Sequence, residues 1–186
     1  MKRLLVFGLS LMVLGVTAIH AGIGAKNGEI GFDFGATQFD TSVTDTTGGR
    51  FVFRVGYHFT DLFQLEGHLA SSTGTESFAG IDFDTTLTTV MVNAVFNFHP
   101  ENDSIVPYVL FGVGTANGEQ EIIGLTLVDE NGSAYQYGGG SRFFFGANKR
   151  AAFRVELTGL SEEIGPETST HANLVIGFTW RLGESR

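Results

Sequence analysis

The chain has 186 residues, a length that suits one domain, and it contains 26 glycines, 18 phenylalanines and only 3 prolines. This composition is typical of a strand-rich protein rather than a helical one. The absence of cysteine excludes a disulfide framework and a thiolate metal site. A formal net charge of −9 argues against a general nucleic-acid binder.

The amino terminus has the three parts of a secretory signal peptide. The chain begins with Met-Lys-Arg, an apolar run spans 4–19, and small residues follow at Ala18 and Ala21. The apolar run is shorter than the roughly 20 residues that a membrane-spanning helix needs. We therefore predict a signal peptide over 1–21 and a mature domain over 22–186, with cleavage after Ala18 or an uncleaved anchor as the alternatives.

In the mature chain, apolar and polar residues alternate with the period of two that β-strands have. The alternation predicts eight strands, at 28–40, 50–59, 63–71, 84–98, 106–117, 134–146, 151–159 and 172–182. Strands that cross a bilayer need about 9–11 tilted residues, whereas soluble strands are usually nearer 5–6. The predicted fold is therefore all-β, an eight-stranded antiparallel up-and-down transmembrane β-barrel.

The links between these strands alternate in length. Short or intermediate links are predicted at 60–62, 99–105 and 147–150, and long links at 41–49, 72–83, 118–133 and 160–171. Outer-membrane barrels combine short periplasmic turns with long outer loops. Because an even number of strands returns the chain to its starting side, both termini are expected on the short-turn side.

Three features indicate that the polar face of the strands lines the barrel interior. This face is rich in glycine, which leaves room for long side chains in a narrow lumen. It carries four acids and four arginines but no lysine, as expected where buried charges are paired by guanidinium groups. The apolar face has aromatic residues near the strand ends, as membrane girdles do. The alternative is a soluble barrel with a solvated mixed-charge surface. The predicted interior network consists of Glu29, Asp33, Arg54, Glu66, His68, Arg142, Arg154, Glu156 and Arg181.

The predicted outer loops are acidic. The stretches 40–49, 71–84, 116–134 and 159–171 contain twelve Asp and Glu residues and no Lys or Arg. These acids either keep exposed loops soluble or bind divalent cations or a basic partner at the cell surface. The candidate residues for a cation site, which have no EF-hand spacing, are Asp129, Glu130, Glu162 and Glu163.

One segment contains residues of the types that hydrolases use for catalysis. A hydrolase of the Ser-His-acid type needs its three groups within hydrogen-bond reach. Ser169-Thr170-His171, with Glu167 close by, is the nearest match, and we interpret it as a polar segment leading into the last strand. We therefore predict that the protein is not an enzyme and needs no cofactor.

Four segments carry a resemblance to a known family. They are Val-Gly-Tyr-His-Phe-Thr-Asp at 55–61, Pro-Tyr-Val-Leu-Phe-Gly-Val-Gly at 107–114, Arg-Val-Glu at 154–156 and Gly-Phe-Thr-Trp-Arg-Leu at 177–182. The chain resembles the bacterial outer-membrane β-barrel domain family, the small OmpA- and OmpX-like barrels often named porin-family proteins. The resemblance spans most of 22–182 and implies an outer-membrane barrel in a Gram-negative envelope.

The last of these segments resembles the signal that the barrel-assembly machinery recognises. Its matching residues are Gly177, Trp180 and Leu182. Two positions depart from the family pattern. Val175 stands where a polar residue is usual, and Leu182 replaces the terminal aromatic residue and is followed by four more residues.

Together these features predict a non-enzymatic outer-membrane protein that serves envelope structure or surface interaction through its acidic outer loops. The expected partners are outer-membrane lipid, lipopolysaccharide and the barrel-assembly machinery, with divalent cations or a basic surface partner as further candidates. The alternatives are a small pore or carrier for solutes and, beyond that, a lipid-modifying barrel enzyme. A lumen of eight strands is normally filled by side chains, which argues against a wide channel.

Overall fold

The structure, a computed structural model, describes residues 27–40, 45–78, 81–98, 104–122, 125–147, 149–164 and 167–182. It contains the strands β1 (Gly28–Asp40), β2 (Asp45–His58), β3 (Phe63–Phe78), β4 (Ile81–Asn97), β5 (Ile105–Ile122), β6 (Leu125–Phe145), β7 (Ala151–Ile164) and β8 (Glu167–Leu182). Each strand pairs antiparallel with the next, and β8 pairs with β1 to close the barrel. The eight-stranded barrel is confirmed, while the predicted signal peptide lies outside the described residues.

Within the described ranges, no helix is long and apolar enough to cross a membrane.

Seven of the eight strands differ in their bounds from the prediction, and most of them are longer at one end of the barrel. The hairpin ladders there continue to the pairs Asp40↔Asp45, Phe78↔Ile81, Ile122↔Leu125 and Ile164↔Glu167. The four links predicted as long outer loops are therefore mostly strand. Their many Thr and Ser residues suit cross-strand pairs, and the ladder satisfies backbone groups that a loop would leave to water. We call this end, with its four hairpins, the outer end, and the opposite end, where β1 begins and β8 ends, the turn end.

The outward face changes character between the two ends of the barrel. Towards the turn end it is an apolar belt, which on β8 runs through Leu174, Ile176, Phe178, Trp180 and Leu182. Nine residues of strand rise about 26 Å, or about 20 Å along the axis at a tilt of about 40°, close to the roughly 25 Å apolar band of membrane barrels. Towards the outer end the exposed outward side chains are polar, as at Thr73, Asn131 and Glu163.

Aromatic side chains line the turn end of the belt. Tyr57, Phe59, Phe63 and Phe96 form a chain of neighbouring rings, with centroids 5.0, 5.8 and 5.4 Å apart. On the other side of the barrel, the rings of Phe178 and Trp180 are 6.4 Å apart. Aromatic rings in such positions are typical of a girdle at a membrane interface.

Along the barrel axis, the interior changes from polar to apolar where the outward face changes from apolar to polar. Within the belt, the lumen is filled by charged and polar side chains, whereas nearer the outer end it contains a cluster of buried apolar side chains. We call this cluster the apolar plug; it consists of Phe39, Leu87, Met91, Ala116, Ala134 and Leu160, with Ile164 packed against it. The outer end thus has the apolar-inside, polar-outside arrangement of a soluble barrel, and the belt has the inverse arrangement of a membrane barrel.

Candidate functional site

Arg54 lies at the centre of a cluster of buried charges in the lumen, at the level of the apolar belt. Its Nε donates to Asp33, its Nη1 donates to Glu66 Oε1 at 2.7 Å, and its Nη2 donates to Glu156 Oε1 at 2.7 Å. β2 supplies Arg54, while the three carboxylates come from β1, β3 and β7. One guanidinium therefore ties together strands on opposite sides of the lumen, as its fixed fork of donors allows.

Arg154 is a second buried guanidinium and shares two of these carboxylates. Its Nη1 donates to Glu66 Oε2 at 2.7 Å and its Nη2 donates to Glu156 Oε2 at 2.8 Å. Its Nε donates to the hydroxyl of Tyr108, which in turn donates to Glu156 Oε2, both at 2.7 Å. Each of the two glutamates thus accepts from both arginines, an arrangement that offsets the cost of burying all four charges.

Tyr108 lies between two arginines that would otherwise face each other. Arg142 and Arg154 are direct cross-strand partners of β6 and β7, a pairing that is unfavourable for like charges. The Tyr108 ring accepts a cation–π contact from each of them, with guanidinium carbons 4.6 and 4.9 Å from its centroid. A Cβ on Gly140 would come within 2.6 Å of the Tyr108 hydroxyl, so glycine leaves room for this ring. Tyr108 was missing from the predicted interior network, although its even spacing from Gly112 and Gly114 on β5 places it on the same lumen face.

A second group of polar contacts lies nearer the turn end. Arg142 donates through Nη2 to Gln64 Oε1 at 2.6 Å and through Nη1 to Asn97 Oδ1 at 2.8 Å. Its Nε is 3.2 Å from Glu29 Oε1, and Glu29 Oε2 is 3.2 Å from His58 Nε2. Glu29 and Arg142 are thus paired in the lumen one layer below the cluster around Arg54.

His68 and Arg181 differ from the other predicted members of the network. His68 is buried opposite Arg54 in the β2–β3 ladder, and its Nδ1 is 3.1 Å from the amide nitrogen of Asn93. Arg181 is only half-buried near the turn end, with its guanidinium carbon 3.8 Å from the centroid of the Phe144 ring.

Arg50 is the fourth buried arginine of the lumen and was missing from the predicted set. It is 5% exposed and donates through Nη1 to Ser72 Oγ at 2.8 Å. Ser72 in turn hydrogen-bonds to Thr37, which donates to Asn173. The position of Arg50, four residues before Arg54 on the same face of β2, was the signal that could have identified it. Among the residues that the structure describes, the four buried arginines, Arg50, Arg54, Arg142 and Arg154, share the belt level of the lumen with the buried carboxylates of Glu29, Asp33, Glu66 and Glu156, while a fifth buried carboxylate, Glu162, pairs with His171 nearer the outer end.

A buried His–Glu pair adjoins the apolar plug. His171 Nε2 is 3.0 Å from Glu162 Oε1, and the ring of Phe39 meets the His171 ring edge-on at 5.4 Å. His171, part of the only hydrolase-like segment in the sequence analysis, therefore points into the lumen rather than towards the bilayer. The plug itself was missed because its apolar residues occupy the face that is polar elsewhere along the strands.

The four candidate cation ligands lie on strands β6 and β7 rather than in loops, and the neighbours Glu162 and Glu163 face opposite sides of the barrel wall. Glu162 faces the lumen, whereas the adjacent Glu163 faces outward and accepts from Ser133 Oγ at 3.1 Å. Glu130 is exposed on β6, and Asp129 pairs with Glu119 across the β5–β6 ladder. Among the described residues, no three His, Asp or Glu side chains are grouped to hold a metal ion.

The three residues of the predicted assembly signal occupy both faces of β8. Trp180 and Leu182 are exposed on the apolar belt at the turn end. Gly177 faces the lumen, where a Cβ would overlap Asp33 Oδ1. Glycine at this position therefore also makes room for a carboxylate of the charge cluster.

Comparisons with known proteins agree with this geometry. The family model described as outer membrane protein beta-barrel domain matches residues 7–181. No curated protein sequence matches the chain. Among solved structures, the chain is similar to Neisserial surface protein A, with a TM-score of 0.73, 10% identity, and coverage of 85% of this chain and 99% of that chain.

Two further barrels are similar at lower scores. Ail of Yersinia pestis, in complex with the heparin analogue sucrose octasulfate, gives a TM-score of 0.59 at 17% identity, covering 84% of this chain and 99% of that one. The N-terminal β-barrel domain of Pseudomonas aeruginosa OprF gives 0.51 at 17% identity, covering 84% and 100%. At these identities, the likeness shows the fold of a small outer-membrane barrel.

Proposed function

The chain belongs to the outer membrane protein beta-barrel domain family, and we propose that it acts as a closed, non-enzymatic barrel that contributes to envelope structure or binds a surface partner through its acidic outer hairpins. The observation that carries this proposal is the combination of a lumen filled by side chains with outer hairpins that lack basic residues. The first feature disfavours transport, and the second selects the charge of a partner.

The lumen argues against the alternative of a solute pore. The charge cluster around Arg54 and Arg154 fills the lumen at the level of the belt, and the apolar plug fills the lumen nearer the outer end. A solute would have to separate buried ion pairs, which is costly because each released charge is left without a partner. It would then have to pass through packed apolar side chains such as Leu87 and Leu160.

This closure leads to a prediction about conductance. We expect the barrel, folded in a planar lipid bilayer, to show no stable conductance steps, since two successive layers of side chains occupy the lumen. Single-channel recording is the measurement, with a large porin in the same bilayer as a positive control. Regular nanosiemens-scale steps from the purified monomer would favour the pore over the closed barrel.

The outer hairpins favour a cationic partner. Exposed acids on this end include Asp84, Glu130 and Glu163. No Lys or Arg occurs in 36–49, 71–90, 115–136 or 157–174. A surface of this charge attracts divalent cations or a basic protein segment and repels sulfated or phosphorylated polymers. We therefore do not extend the heparin-analogue binding of Ail to this chain.

A calcium titration tests the acidic surface. We expect weak Ca²⁺ binding, with a Kd of about 10⁻⁴–10⁻³ M as in extracellular modules, because the described acids form a diffuse negative surface rather than a set of converging ligands. Calorimetry on the detergent-folded barrel should show a saturable heat that is lost in the triple variant Asp129→Asn, Glu130→Gln and Glu163→Gln. Glu162→Gln is the matched control, because this neighbour of Glu163 faces the lumen and pairs with His171.

The outcome of this titration separates binding from simple solvation. Equal heats in the wild type and the triple variant would show that the acids only keep the outer end soluble. Loss of heat in Glu162→Gln, with the triple variant unchanged, would place the cation in the lumen and contradict the surface proposal. Heat-dependent mobility on a denaturing gel confirms that each variant is folded.

The absence of enzymatic activity is part of the same proposal. A hydrolase of the Ser-His-acid type needs a nucleophile within hydrogen-bond reach of its histidine and needs both groups accessible to the substrate. His171 instead lies 2% exposed in the lumen, paired with Glu162 and packed edge-on against Phe39. We therefore infer that this pair stabilises the outer part of the lumen and takes no part in hydrolysis.

A further inference from the structure

The basic side chains that are not fully buried lie together at one point of the turn end. In the part of the chain that the structure describes, four arginines are buried in the lumen, and the remaining Lys and Arg residues are Lys149, Arg150 and Arg181. Lys149 and Arg150 end the link between β6 and β7, and Arg181 lies beside them on β8. We call these three residues the rim cations. The described acids of the outer end and the rim cations therefore lie at opposite ends of the barrel.

Lys149 occupies a backbone position that few side chains adopt. Its φ is +46°, the only positive φ of a non-glycine residue in the described ranges, and this conformation favours glycine or asparagine. In the tight turn its backbone N donates to Gly146 O at 3.2 Å, and its Nζ donates to Ser104 Oγ at 2.7 Å. An ammonium group has three donors and can bind further acceptors at the rim. A lysine is thus present where the backbone alone favours another residue.

Arg150 and Arg181 place two like charges side by side. They are cross-strand neighbours, with Arg181 N donating to Arg150 O at 2.8 Å, and both side chains are half-buried. Like charges in direct cross-strand positions repel each other. In the lumen, the ring of Tyr108 lies between Arg142 and Arg154 and relieves the same conflict. At the rim, a shared anion would relieve it, because guanidinium groups form strong hydrogen bonds to phosphate oxygens.

Outward-facing aromatic rings lie next to the rim cations. Phe145 on β6 and Phe178 on β8 flank β7, and their ring centroids are 5.9 Å apart, so they meet over the small side chain of Ala151. Trp180 is the cross-strand partner of Ala151 and its ring is 6.4 Å from that of Phe178. Ala151, which directly follows Arg150, is only 7% exposed, whereas the three rings are 40–46% exposed. We call these three rings the aromatic platform; it faces the bilayer where β7 begins.

Cations beside an exposed aromatic platform match the two parts of an anionic phospholipid. Outer-membrane barrels have their short turns on the periplasmic side, where the leaflet consists of phospholipid. Anionic headgroups are attracted to Lys and Arg clusters near a membrane surface. The three rim cations outnumber the acids of the link 99–103, Glu101 and Asp103, which precedes Ser104. We propose that the rim cations bind the phosphate of one anionic phospholipid of the periplasmic leaflet, with its acyl chain against the aromatic platform.

The single tryptophan of the chain allows this site to be observed directly. Trp180 is the only Trp in the sequence, and its ring belongs to the platform. Acyl chains that carry bromine quench tryptophan fluorescence on contact. The barrel is reconstituted in mixed vesicles of phosphatidylglycerol and phosphatidylethanolamine, with one or the other lipid brominated, and the quenching gives their relative affinity at Trp180. Each Lys or Arg near a membrane surface strengthens the attraction of anionic lipid about fivefold, so we expect phosphatidylglycerol to be preferred by about fivefold or more.

A double variant removes the charge without straining the turn. Lys149→Asn, combined with Arg150→Gln, removes two cations, and asparagine tolerates the positive φ at 149. We expect the preference for phosphatidylglycerol to fall to about one, while both lipids still quench Trp180. The matched control moves the reporter instead: Trp180→Phe with Phe96→Trp places the only tryptophan on β4, across the barrel from β8. This reporter should show equal affinity for the two lipids. Heat-dependent gel mobility shows that each variant is folded.

Three results would overturn the proposal. The first is equal affinity of the two lipids at Trp180 in the unmodified barrel. The second is a preference that persists in the double variant or is equally large at the Phe96→Trp reporter, because the attraction would then belong to the barrel as a whole. The third is loss of the preference in millimolar inorganic phosphate at constant ionic strength, which would assign the rim cations to a soluble anion rather than to a lipid.

Discussion

Arg154→Ala is expected to lower the free energy of unfolding by about 3–5 kcal/mol, the usual cost of removing one partner from a buried ion pair. The substitution removes donors to both Glu66 and Glu156 and to the Tyr108 hydroxyl. Arg54 alone would then balance three carboxylates, those of Asp33, Glu66 and Glu156. The measurement is the shift of the urea unfolding midpoint of the barrel in lipid or detergent.

Arg181→Ala is the matched control for this measurement. Arg181 is only half-buried and lies over the Phe144 ring, so its loss should cost about 1 kcal/mol or less. An Arg154→Ala midpoint equal to that of the wild type would mean that the lumen is hydrated and that its carboxylates are solvated. Equal losses in both variants would indicate a general effect of removing positive charge rather than the buried pairs.

Leu160→Ala is expected to lower the free energy of unfolding by about 2–5 kcal/mol, because it opens a cavity in the apolar plug. Leu160 is fully buried among Phe39, Leu87 and Met91, and no apolar lipid can reach it from outside the barrel wall. The same urea titration measures the effect. A loss of this size would also show that the outer hairpins are a packed extension of the barrel.

Leu160→Met provides the comparison at the same position. It conserves volume and should cost less than about 1.5 kcal/mol. If Leu160→Ala and Leu160→Met gave the same midpoint as the wild type, the outer end would be loosely packed and the predicted long loops would describe it better. Limited proteolysis of the folded barrel would then cut within the outer halves of the strands.

The alternation of apolar and polar residues was sufficient to predict the barrel, because a period of two places each residue on a known face once the strands are known. Glu29, Asp33, Arg54, Glu66, Arg142, Arg154 and Glu156 are buried in the lumen. The contacts within this set were not predictable. They depend on which strands face each other across the lumen, and that follows from barrel closure and register rather than from any local pattern.

The outer end shows where sequence pattern alone failed. Beyond the belt, the residues that face outward are polar and many that face inward are apolar. The period of two continues there, but the polar and apolar faces of the strand are exchanged. The sequence does not show where along each strand the bilayer ends. In the sequence, this exchange of faces therefore resembles the end of a strand, and the Thr, Ser and acidic residues beyond it resemble a loop. The long hairpins became evident only when the ladder pairs Phe78↔Ile81 and Ile164↔Glu167 were seen.

The sequence by itself determined the fold class, the number of strands, their order and the inward position of most charged residues, because these depend on local periodicity and on the cost of exposing polar groups to lipid. The tertiary structure alone decided that, among the described residues, Arg50 rather than Arg181 is the fourth buried arginine, that Tyr108 separates Arg142 from Arg154, and that an apolar plug fills the outer lumen. These features depend on distances across a closed barrel between residues as far apart as Arg54 and Glu156, which no local pattern encodes.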